Sequence, residues 1–132
     1  MGAKPPEPTV SRKLVADAIG TFFLFLSVLA SGIMADNLSG GNPGVALMSN
    51  TLSIGAILYV LIAMLAPISG AHFNPAVTLA FLIRREITPA RAFVYVVTQI
   101  AAGCSAALVS HIMFDLPVIQ IADTARTGTG KW

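Results

Sequence analysis

The chain has 132 residues, of which 55% are hydrophobic and only 11% charged, with a mean hydropathy of +0.79. Soluble domains carry about 25% charged residues, so this composition specifies a membrane protein. The formal charge of +2 comes from dispersed basic residues and leaves no nucleic-acid footprint. A single cysteine, Cys104, excludes an internal disulfide and a cysteine-based metal cluster.

In chain order, the head "MGAKPPEPTVSRK" is polar and proline-rich, and residues 1–13 are expected to be disordered on the cytoplasmic side. Three apolar runs follow, at 14–34, 45–66 and 90–114. Each approaches the roughly 20 residues needed to cross about 30 Å of hydrocarbon. The first run exceeds the 7 to 15 or so residues of a signal-peptide core, so it is read as a retained span. Residues 115–132 turn polar and read as an external loop or tail.

Lysine and arginine set the direction. Lys4, Arg12, Lys13, Arg84, Arg85 and Arg91 fall on one side of the three spans, and Arg126 and Lys131 on the other. By the positive-inside rule the N-terminus is cytoplasmic and the C-terminus external, in a multi-pass cell-membrane protein.

Between the second and third runs lies "ISGAHFNPAVTLAF". Asn74 is suited to cap a helix and Pro75 to open it, while Thr88 and Pro89 repeat the signal for the third span. A helix over 74–83 would be about 15 Å long, half the hydrocarbon thickness, as in a re-entrant half-helix. With Arg84 and Arg85 held at the surface, Asn74 would lie near the midplane. The second span is expected to end near Pro67, and "SGAHF" to descend to that depth in extended form. Non-helical backbone is tolerated there only inside protein or against water. The carbonyls of Gly70, Ala71, His72 and Phe73, with the Asn74 amide, would then suit water or a hydroxyl, and the half-helix N-terminus would disfavour cations.

The string "SGAHFNPAVTLA" resembles the first signature loop of the aquaporin family, the major intrinsic proteins. "GTFFLF" from Gly20 is similar to the family's first helix, and "YVVTQIAAG" from Tyr95 to its third. The resemblance covers nearly everything after the head. It implies an all-α membrane protein, an aquaporin-like first repeat of three transmembrane helices plus one re-entrant half-helix. It further implies a channel for water or small neutral solutes such as glycerol, needing no cofactor, in a homotetramer. Asn74 would be the midpore donor, Pro75 and Ala76 would fix the half-helix start, and His72 would position the loop. Gln99 matches the family's third-helix glutamine. Asp17 stands where the family usually has a glutamate that braces the loops, and Ile54 occupies a position of the narrow outer filter. Family members have two inverted halves, so this chain is expected to be the N-terminal half, incomplete as a pore alone.

The alternative is a non-conducting membrane subunit or assembly partner from a truncated gene, packing through the small residues of "SVLASG" and "AAGCSAA". An ion-coupled transporter would call for more ionisable groups at midplane than Asp17 and His72. Catalysis has neither a nucleophile–base pair nor a metal-ligand cluster to rest on.

Overall fold

The computed structural model describes residues 6–119. Lys4, Arg126 and Lys131, and most of the expected tail, lie outside these residues. Four helices follow in order: α1 (Val10–Leu38), α2 (Pro43–Ser69), α3 (Pro75–Ile83) and α4 (Pro89–Met113). α1, α2 and α4 are each long and apolar enough to cross a membrane. At 25 to 29 residues they exceed the roughly 20 needed, so each extends past the hydrocarbon or crosses it tilted.

Their ends follow from local chemistry. Thr9 caps α1, its hydroxyl accepting the Arg12 N–H at 3.4 Å, so residues 10–13 are helical where a disordered head was expected. Asn42 caps α2 through Gly44 and Val45, with Pro43 in the first turn. Asn74 and Thr88 cap α3 and α4, each followed by proline. α2 does not stop near Pro67 but continues to Ser69, with Pro67 inside it. Pro67 lacks its own ladder bond and crowds the Ala63 carbonyl, yet the helix runs past it, and the stop comes from Gly70, left-handed at φ 85° with its N–H on the Ala66 carbonyl at 3.0 Å.

The packing inverts the pattern of a soluble protein. Large apolar side chains such as Phe23, Leu52, Met64 and Phe93 point outward. The interior holds small and polar residues, among them Ala16, Ala35, Ala102 and Ala106 with Asp17, Thr21, Thr78 and Gln99. On α4 the buried positions are Ala92, Tyr95, Gln99, Ala102, Ala106 and Ser110, a seam at three- and four-residue spacing. Small residues there let the backbones approach, which is how helices gain contact where burial from lipid supplies little drive.

Among the described residues α1 packs on α2 and α4, and α3 packs on α4 alone. One side-chain hydrogen bond ties α1 to α2, from Ser31 Oγ to Asn50 Oδ1 at 2.7 Å. Ser31→Ala is expected to lower stability by about 0.6 kcal/mol, the usual worth of such bonds between membrane helices. Steric trapping or denaturant titration in micelles would measure the loss.

Candidate functional site

The segment between α2 and α3 is not extended. Gly70, Ala71 and Phe73 all have positive φ, at 85°, 52° and 51°. For alanine and phenylalanine this left-handed geometry costs roughly 1–2 kcal/mol each. The compensation is visible on α1. Curling brings two successive amides onto one oxygen: His72 N and Phe73 N donate to Asp17 Oδ1 at 3.0 and 3.1 Å. An extended strand would point these N–H groups to opposite sides, whereas a curled one forms an anion-binding nest.

Asp17 is fully buried, so its second oxygen also needs a donor. Gln99 Nε2 supplies it from α4 at 2.7 Å and reaches Thr78 Oγ1 at 3.0 Å. Thr78 Oγ1 also lies 3.3 Å from Gln99 Oε1 and 3.0 Å from His72 Nδ1, so the threonine hydroxyl links Gln99 to the imidazole in one buried network. The imidazole is clamped further by stacking on Phe81, with centroids 4.4 Å apart, and by a tilted contact with Tyr95. Tyr95 donates to the Ser69 carbonyl at 3.1 Å, occupying an acceptor that the end of α2 would leave open.

The loop is also seated by shape. Phe73 is almost completely buried, and its ring fills the space that a β-carbon on Gly20 would need. The cluster is deep. Asp17 lies about 10 Å along α1 from Val10, and Gln99 about 15 Å along α4 from Pro89, at 1.5 Å per residue.

Asn74 follows at the head of α3 and is exposed. Its Oδ1 accepts the Ala76 N–H at 2.8 Å. Because a backbone N–H can meet only the amide oxygen, Nδ2 is turned away from the helix and has no partner among the described residues. No donor in the described residues bonds the carbonyls of Gly70, Ala71, His72 or Phe73 either. Four carbonyls without a donor among the described residues and one amide donor therefore follow one another in the chain just before α3.

Asp17, Gln99 and residues 70–76 thus form one constellation. Ile54 stands apart, half-buried on α2 and about 22 Å along the helix axis from Ser69. The sequence reading missed Thr78, which joins His72 to Gln99. A lone hydroxyl in the apolar run "PAVTLAFLI" was the available signal. It also missed Tyr95 and Gly20 as supports of the loop.

Three apolar spans and a short helix opened by Asn-Pro, with its entering loop pinned inside the bundle, define a membrane protein with a re-entrant half-helix. The family model for the major intrinsic proteins matches residues 6–131, and the chain belongs to this family. It is 43% identical over 123 residues to aquaglyceroporin AqpS of Rhizobium meliloti (strain 1021), covering 93% of this chain and 52% of that protein. It is 35% identical over 120 residues to nodulin-26 of Glycine max, covering 89% and 42% respectively. Aquaporin-1 of Botryotinia fuckeliana (strain B05.10) is 37% identical over 118 residues, covering 88% of this chain and 25% of that protein. The chain spans about half the length, or less, of these relatives.

Proposed function

We propose that this chain supplies one half of a narrow passage for water or small neutral solutes such as glycerol, working against a second, inverted half in a homotetrameric channel. The supporting observation is the fixed amide of Asn74. With Oδ1 engaged by Ala76, Nδ2 is presented beside the unengaged carbonyls of residues 70–73. A permeant hydroxyl can donate to the carbonyls and accept from Nδ2, exchanging one partner for the next without desolvation. The roughly half-unit positive charge at the α3 N-terminus opposes cations.

In this reading Asp17 and Gln99 brace the loop, His72 holds it in place, and Ile54 contributes to an outer constriction that selects by size. The excess of lysine and arginine on the N-terminal side supports a cytoplasmic N-terminus and an external C-terminus in the cell membrane.

Stopped-flow shrinkage of proteoliposomes tests the proposal. The chain co-reconstituted with the second half of the Rhizobium aquaglyceroporin should accelerate water efflux several-fold over protein-free vesicles. Rates equal to those vesicles, with both pieces folded and inserted, would favour a non-conducting assembly role instead. In the same complex Asn74→Asp should raise sodium leak on the order of tenfold, since about 1.4 kcal/mol off a barrier is one decade in rate. An unchanged leak at equal protein level removes Asn74 from cation exclusion.

A further inference from the structure

α1 and α4 run in parallel and begin side by side. Between their first turns lies a cavity of about 270 Å³ lined by Val10, Leu14, Ala90, Arg91, Val94 and Tyr95. Its wall is built from one ridge of each helix, Val10 with Leu14 on α1 and Ala90 with Val94 on α4, each pair four residues apart. Val10 and Val94 remain 46% and 44% exposed, so the groove is open to the outside along its length.

A second, smaller cavity of about 120 Å³ adjoins the first. It shares Val10, Arg91 and Tyr95, adds Lys13 and Glu86, and reaches inward to Ser69, His72, Phe81 and Ile87. Two cations therefore stand where the apolar groove meets the helix starts. The ion pair found among the described residues is Arg84 with Glu86, at 2.6 Å. Glu86 is thus paired with Arg84, and among the described residues neither Lys13 nor Arg91 is joined to a carboxylate. Neither α1 nor α4 has an acidic residue in its first turn, although that is where acids are favoured. In α1 the turn instead carries Arg12 and Lys13. Cations at the positive end of a helix repel it, and an anion placed between the two helices would relieve both.

We propose that the α1–α4 groove binds one anionic phospholipid, its phosphodiester between Lys13 and Arg91 and the upper part of an acyl chain along Val10, Leu14, Ala90 and Val94. Charge complementarity selects the headgroup and the hydrocarbon wall selects a lipid over a free anion. The level is also right, because these helix starts lie where a span enters the headgroup region and where basic residues attract anionic lipid. The apolar groove contains no residue of the loop between α2 and α3, although Tyr95 also supports that loop and the smaller cavity reaches His72.

Native mass spectrometry of the full chain, released from an equimolar mixture of dioleoylphosphatidylglycerol and dioleoylphosphatidylcholine, reads the preference directly. The unaltered chain should retain one phosphatidylglycerol in preference to phosphatidylcholine. The double variant Lys13→Gln/Arg91→Gln should reduce that ratio about thirtyfold, as expected from the loss of two basic residues near an anionic surface. Val94→Trp fills the groove while leaving the charges, and should also abolish retention. Arg85→Gln, which lines neither cavity and is not paired with Glu86, should change nothing. Equal retention of the two lipids by the unaltered chain overturns the proposal without recourse to any variant. So does a preference that survives the double variant, or one that survives Val94→Trp. Soluble glycerol phosphate that displaces the lipid at millimolar concentration would show a site for a free anion, and would overturn it as well.

Discussion

Asp17→Leu is expected to release the loop between α2 and α3 and to lower stability by about 3–6 kcal/mol. The figure counts only the two charge-assisted bonds to the loop amides, at about 1.5–3 kcal/mol each, because the freed Gln99 Nε2 keeps its bond to Thr78. The substitution leaves the amides of His72 and Phe73 and the Nε2 of Gln99 without their Asp17 acceptors. With nothing to offset their left-handed geometry, Ala71 and Phe73 should return to ordinary backbone angles. Hydrogen exchange at the His72 and Phe73 amides is the direct measurement, and protection there equal to the unaltered chain would contradict the assignment. Asp17→Asn separates geometry from charge. It keeps Oδ1 as an acceptor, and turning the Gln99 amide over would let Gln99 accept from the new NH₂. Its loss should be about a third of that for leucine.

Gly20→Ala is expected to be nearly as damaging, for a reason of shape alone. The added β-carbon would fall within the Phe73 ring, against Cδ1, Cε1 and Cζ. Phe73 is 1% exposed, and its backbone is tethered to Asp17, so the ring cannot swing clear as an exposed side chain would. Overpacking costs about 1–3 kcal/mol, and more if the loop withdraws and the Asp17 bonds lengthen. Phe73→Leu alone should lose stability through the space it opens. Combined with Gly20→Ala the two losses should fall well short of their sum, because the methyl enters the space the ring vacates. A double-mutant cycle on thermal unfolding measures this. Full additivity would mean that Gly20 and Phe73 do not meet.

What the sequence disclosed depended on how local the cause was. Asn74-Pro75 and Thr88-Pro89 place two helix starts because cap and first turn adjoin in the chain. Asn42-Pro43 carries the same signal, and reading it would have put the start of α2 two residues earlier than the apolar run suggested. The end of α2 was expected near Pro67 and falls two residues on, at Ser69, because the left-handed glycine that follows terminates the helix. The curled form of residues 70–73 was not legible, since its cause is a carboxylate 55 residues away. That Asp17 and Gln99 belong with the loop came from family resemblance; their meeting on α1 and α4 is a fact of packing. The pairing of Gly20 with Phe73 had no local trace, because a glycine within "GTFFLF" looks like any small residue in a membrane helix.

That α3 packs on α4 and on no other helix of the described residues sets an order on biosynthesis. α1 and α2 can pair as soon as both have left the ribosome, but the half-helix precedes α4, the helix it rests against among the described residues. Asp17 is made 82 residues before Gln99, an interval of roughly 4 to 16 s at about 5–20 residues per second. Through that interval the Asp17 carboxylate lacks its Gln99 partner, and the half-helix, once made, waits for its seat on α4; both must be kept from lipid by the insertion machinery or by water at the surface. Docking of the loop is therefore a late event, timed by the emergence of α4 and not by the moment at which its own residues are joined.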